Sequence, residues 1–77
     1  NGKTLDLTGS EYRVLSLLIS RPERVYTRSQ IIDLTQDPDK IVTDRAVDVQ
    51  IVGLRRKLGS WAKHIETIRG VGYRFQP

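Results

Sequence analysis

Apolar positions along this chain recur first with an alternating period, then with a helical one, and capping or turn residues mark the changes. Lys3 to Leu7 alternates polar and apolar residues, which predicts a short strand with Leu5 and Leu7 on one face. Thr8 and Glu11 form a T-x-x-E capping box, with Leu7 and Tyr12 at the positions of a hydrophobic staple, so a helix starts at Thr8. Tyr12, Leu15, Leu18 and Ile19 supply its expected apolar face, and Pro22 closes it.

The device repeats at Thr27 and Gln30, with Tyr26 and Ile31 at the staple positions and an expected apolar face of Ile31, Ile32 and Leu34. Turn residues then predict a loop over about 36–42. A third and longest helix is expected from Thr43 or Asp44 to Leu58, with Gly59 as its left-handed terminator. Val47, Ile51, Leu54 and Leu58 form one stripe of it, and Arg45, Val49, Val52 and Arg56 lie opposite. A connection through Trp61 and His64 leads to 65–75, which reads as two short strands joined by a turn through Gly70, Val71 and Gly72. Trp61, Tyr73 and Phe75 are expected in the core, and the two glycines are expected to serve the turn. The fold class is therefore α+β: a three-helix cluster, a short N-terminal strand and a C-terminal β-hairpin, which is a winged helix-turn-helix.

At 77 residues the chain holds one domain, expected over 1–77. It has no cysteine, which removes disulfides, thiolate nucleophiles and cysteine zinc sites. No apolar run approaches the roughly 20 residues that span a bilayer, and NGKTLDLT has no signal pattern, so a soluble, cytoplasmic chain without membrane contact is expected. The net charge of +4 is unevenly placed: residues 1–44 are near −1 and residues 45–77 near +5. That asymmetry suits a polyanion.

Catalysis finds no support, since His64 lacks a nucleophile or second histidine and no glycine-rich phosphate loop precedes a helix. Asp37, Asp39 and Asp44 lie in DPDKIVTD, which lacks the glycine and bidentate glutamate of an EF-hand, so neither metal nor cofactor is expected. The third helix is the richest feature, because an α-helix fits the major groove. Arg45 near its start suits phosphate or guanine, Val49 a thymine methyl, and Gln50 an adenine. Arg55, Arg56 and Lys57 suit the sugar-phosphate backbone, although cations in a last turn also stabilise the helix dipole without a ligand. Arg69 beside the hairpin turn suits a minor groove. The rival reading is a protein-interaction module, drawn from Val49, Val52 and Gly53 on the outward face.

The segments LTGSEYRVLSLL, RPERVYTRSQII, TDRAVDVQIVGLRRKLG and IETIRGVGYRF resemble, in order, the signatures of the OmpR/PhoB winged-helix effector domains of bacterial two-component response regulators. The resemblance runs from Leu7 to Phe75. It implies sequence-specific double-stranded DNA binding in transcription regulation downstream of a phosphorelay, with helix 44–58 in the major groove and wing 65–75 at the minor groove. It further implies RNA polymerase contact through loop 36–42 and binding to tandem half-sites as pairs. By position, Arg45, Val49, Gln50 and Arg55 match family DNA contacts on the helix, Thr67 and Arg69 match wing contacts, and Tyr73 matches a structural wing aromatic. Departures are expected too: most of the family's N-terminal sheet and the receiver domain are missing, and Leu34-Thr35 replaces a common valine-tryptophan pair. Val52 and Gly53 occupy positions that are often basic.

Overall fold

A computed structural model describes residues 6–35 and 43–77. The expected strand at Lys3 to Leu7 falls mostly outside them, and Asp6 and Leu7 belong to no strand. Helix α1 spans Gly9–Ser20, and its capping box closes as the sequence predicts. The Thr8 hydroxyl accepts from the Glu11 amide at 3.1 Å, and the Thr8 amide donates to the Glu11 carboxylate at 3.0 Å. Its buried face differs from the expectation, however. Val14 and Leu18 are fully buried with Leu15 and Leu17 packed beside them, whereas Tyr12 is 63% exposed and Ile19 also faces outward. The run VLSLLI offers two apolar stripes, and packing against the other helices selects the one through Val14. Leu7 packs on the core without its staple partner.

A turn in which Glu23 takes φ 74° donates its amide to the Phe75 carbonyl at 2.7 Å and leads into a two-residue strand, β1, Tyr26–Thr27. Helix α2, Arg28–Thr35, begins with the second capping box: the Thr27 amide donates to Gln30 at 2.9 Å and the Gln30 amide to the Thr27 hydroxyl at 3.1 Å. Tyr26 and Ile31 are buried as a staple requires. Leu34 is exposed instead of joining the apolar face, and Thr35 is buried, its hydroxyl donating to the Ile31 carbonyl at 2.7 Å. Arg13 of α1 donates to the Thr35 carbonyl at 2.9 Å, which ties the two helices at this end.

Helix α3, Asp44–Leu58, is capped by the Thr43 hydroxyl, which accepts from the Ala46 amide at 3.1 Å. Gly59 takes φ 58° and its amide donates to the Arg55 carbonyl, so it terminates the helix as expected. A 3-10 segment, Gly59–His64, follows. Trp61 there is half exposed instead of buried, its ring 5.2 Å from that of His64, which stacks in turn on Phe75. His64 flanks the hairpin, its carbonyl accepting from the Gln76 amide at 2.6 Å.

Strand β2, Ile65–Ile68, pairs antiparallel with β3, Gly72–Phe75, and β3 pairs with β1 in a sheet of order β1-β3-β2. The turn is Arg69–Val71, closed by the Val71 amide on the Ile68 carbonyl at 2.9 Å. Gly70 takes φ 75°, where a Cβ would be strained. Gly72 is a different case: it lies in β3 opposite Thr27, and a Cβ there would run into the Tyr26 backbone. Close approach of β1, not turn geometry, requires that glycine. The core joins Val14 and Leu18 of α1, Tyr26, Ile31, Val47, Ile51 and Leu54 of α3, Ile65 and Tyr73, so all helices and strands share it. Full burial of each aliphatic chain contributes about 1.5–3 kcal/mol.

Candidate nucleic-acid interface

Helix α3 buries Val47, Ile51 and Leu54, which sets the opposite stripe, Arg45, Val49, Val52 and Arg56, toward solvent. Val49 and Val52 are 58% and 56% exposed. Arg45, Asp48, Val49 and Val52 line a shallow depression of about 340 Å³. Among the described residues, neither Arg45 nor Arg56 has an acidic partner. Arg69 is exposed at the hairpin turn between Ile68 and Gly70, likewise without an acid, and Val71 beside it is exposed.

The flank of α3 toward α1 is closed by Glu11. Its side chain is only 7% exposed and accepts from the Lys57 ammonium at 2.7 Å. Burial pushes the Glu11 carboxyl up, but the Lys57 ammonium and the Thr8 amide and hydroxyl outweigh it and hold it below its ordinary value. A Cβ on Gly53 would collide with the Glu11 carboxylate. The glycine therefore leaves room for the Glu11 carboxylate, and it belongs to this flank instead of the outward face. Lys57, expected at the DNA backbone, is tied to α1. Gln50 is three and seven residues from Gly53 and Lys57, on the same flank, and is half-buried. It therefore sits on the flank, off the outward stripe, as its phase on the helix implies.

The other flank faces the wing. Arg55, also expected at DNA, donates to the Ile65 carbonyl at 2.6 Å and to the Thr67 hydroxyl at 2.7 Å, so it joins α3 to β2. Thr67, an expected wing contact, is exposed and receives that bond. Asp48 accepts from Arg28 Nε at 2.7 Å and from the Tyr73 hydroxyl at 2.6 Å, both on Oδ1. The guanidinium groups of Arg28 and Arg55 lie 5.5 and 5.8 Å from the centre of the Tyr73 ring. The Tyr73 and Arg28 hydrogen bonds hold the Asp48 carboxyl below its ordinary value, and burial with the Asp48 bond pushes the Tyr73 hydroxyl up. Tyr73 is thus structural, as expected. Arg74, at the end of the wing, pairs with Glu66 across the strands.

Sequence reasoning missed Arg28 and Asp48, because their partners are 20 and 25 residues away and no local pattern joins them. The polymerase contact expected in loop 36–42, with Asp37 and Asp39, lies outside the described residues. No helix among the described residues is long and apolar enough to cross a membrane.

Comparison with known proteins places this geometry. The family described as "Transcriptional regulatory protein, C terminal" matches residues 2–75. The transcriptional regulatory protein BaeR of Escherichia coli O6:H1 is 42% identical over 78 residues, covering 97% of this chain and 32% of its own length. The response regulator ArlR of Staphylococcus haemolyticus is 47% identical over 75 residues, covering 95% of this chain and 34% of its own. The chain therefore spans about a third of the length of the curated relatives it matches. Among solved structures, the DNA-binding domain of the response regulator AdeR, in complex with an intercistronic region, superposes with a TM-score of 0.81 at 33% identity, covering 95% of this chain and 74% of that one. A profile matching nearly the whole chain, with relatives of this similarity, establishes that it belongs to the C-terminal domains of transcriptional regulatory proteins, the OmpR/PhoB-type winged-helix domains of bacterial two-component response regulators.

Proposed function

We propose that this domain binds double-stranded DNA sequence-specifically to regulate transcription, with α3 in the major groove and the β2–β3 hairpin at the adjacent minor groove. One observation carries the reading: both flanks of α3 are fastened to the protein, while its outward stripe leaves two arginines and two valines exposed. A rigid helix presenting cations and apolar groups suits phosphates, base edges and thymine methyls together. Arg45 contacts phosphate or guanine, Val49 and Val52 pack on methyl groups, Arg56 contacts phosphate, and Arg69 enters the minor groove. Arg55 and Lys57 hold the helix in place. Gln50 acts from the flank, at most on one base. The AdeR domain, of the same fold, was solved with DNA, which supports the assignment. The resemblance extends it to pairing on tandem half-sites, polymerase contact through 36–42 and a cytoplasmic setting.

Selection of bound sequences from random duplex DNA tests the proposal. Enrichment of one motif is expected, with two copies at a fixed spacing where pairs form. Binding without sequence preference, or none at all, overturns it.

A further inference from the structure

Asp48 is the only acid of α3 beyond its first residue, and it is 43% exposed on a surface otherwise suited to a polyanion. It lines the depression with Arg45, Val49 and Val52. Both of its protein donors, Arg28 Nε and the Tyr73 hydroxyl, converge on Oδ1, and no described residue donates to Oδ2. Donors from two different elements fix the carboxylate and leave one oxygen for a partner outside the protein. We propose that Asp48 is a specificity-determining residue whose Oδ2 accepts a hydrogen bond from the exocyclic amino group of a cytosine in the major groove.

The inference rests on the DNA-binding reading and adds a base identity to it. An ionised carboxylate only accepts hydrogen bonds, so it is repelled by guanine N7 and O6 and by thymine O4. Adenine offers an amino donor, but its neighbouring N7 would face either the carboxylate or a valine, with no donor from either. Cytosine offers N4 beside an apolar C5–H edge, which matches a single acceptor flanked by Val49 and Val52. Arg45, in the same depression, supplies donors for the guanine of a G·C pair. The Arg28 guanidinium on Oδ1 offsets repulsion between the carboxylate and nearby phosphates. The two neighbours that lower the Asp48 pKa also keep it in the accepting form.

Asp48→Asn tests this directly. Its amide oxygen can keep the Arg28 and Tyr73 bonds while its amino group turns outward and donates. In selections from random duplexes, the wild type should require a cytosine at one position. Asp48→Asn should shift that position toward guanine or thymine by about tenfold and leave the others unchanged. With the wild-type protein, N4-methylcytosine there should weaken binding about tenfold, while 5-methylcytosine should not. Should Asp48→Asn fail to fold by circular dichroism, substituting each required cytosine in turn decides the matter alone. A variant that selects the wild-type motif, or loses affinity equally on every sequence, overturns the inference. So does a wild-type motif in which no cytosine is sensitive to N4-methylation. Absence of any wild-type motif overturns the DNA-binding reading as well, which separates the two failures.

Discussion

The two flanks of α3 each rest on one acid, and the acids are used differently. Glu11, on the α1 side, is 7% exposed and serves the protein alone: it completes a helix cap, pairs with Lys57 and packs on Gly53. Asp48, on the wing side, is 43% exposed and engages the protein through one oxygen only. The contrast shows how three consecutive cations of one sequence divide. Arg55 faces the wing and Lys57 faces α1, and both fasten the helix, while Arg56 between them faces solvent. Successive residues on a helix differ by about 100 degrees, so position around the axis, not charge, decides which cation is available to DNA.

The largest effect that would break this comparison is expected from Gly53→Arg. Helix propensity gains about 1 kcal/mol, but the side chain must displace a buried, paired carboxylate. Overpacking costs about 1–3 kcal/mol and separating Glu11 from Lys57 about 1–2 kcal/mol more. A net loss of about 1–4 kcal/mol is expected in urea denaturation. A variant as stable as the parent would mean that Glu11 swings clear and that the α1 flank does not depend on the glycine.

Next in size is the split between neighbours. Lys57→Ala should cost about 1–2 kcal/mol of stability by leaving Glu11 buried without its partner. Arg56→Ala should stay within about 0.5 kcal/mol of the parent while weakening DNA binding on all sequences. Thermal melts and fluorescence anisotropy of both variants check this, and the reverse pattern would exchange the two roles. Gln50→Ala should change preference less than Val49→Ala in a binding selection, since Gln50 lies off the outward stripe.

The smallest effect is pH dependence. The folded-state pKa of Glu11 is depressed below its ordinary value of 4.5, so its stabilisation is present above that pH and is lost as pH falls through the lower folded value. Asp48 behaves likewise from its ordinary value of 3.8. Glu11→Gln should therefore be less stable at neutral pH and show a shallower acid limb below pH 4.5 in denaturation midpoints. An unchanged limb would show that the Lys57 pair contributes nothing.

Much of the fold was legible because its signals are local. Both capping boxes join residues three apart, and α3 has a single apolar stripe ending at a glycine that takes positive φ. The buried face of α1 was not legible, because its sequence carries two stripes and only tertiary packing chooses between them. Nor was β1, a two-residue strand defined by pairing with Tyr73 and Gly72. The interface was half legible for the same reason. Arg45, Val49, Arg56 and Arg69 could be placed from helix phase and turn position. That Arg55 and Lys57 are taken up within the protein could not be read until Ile65, Thr67 and Glu11 were in place around them.

The central claim is that the exposed cations of α3 and the wing meet DNA. The salt dependence of wild-type affinity for its selected duplex tests it most directly. With Arg45, Arg56 and Arg69 each neutralising phosphate charge, directly or from a groove, log affinity should fall against log salt with a slope of about −2 to −3, at about −0.9 per charge neutralised. A slope near zero would contradict the account.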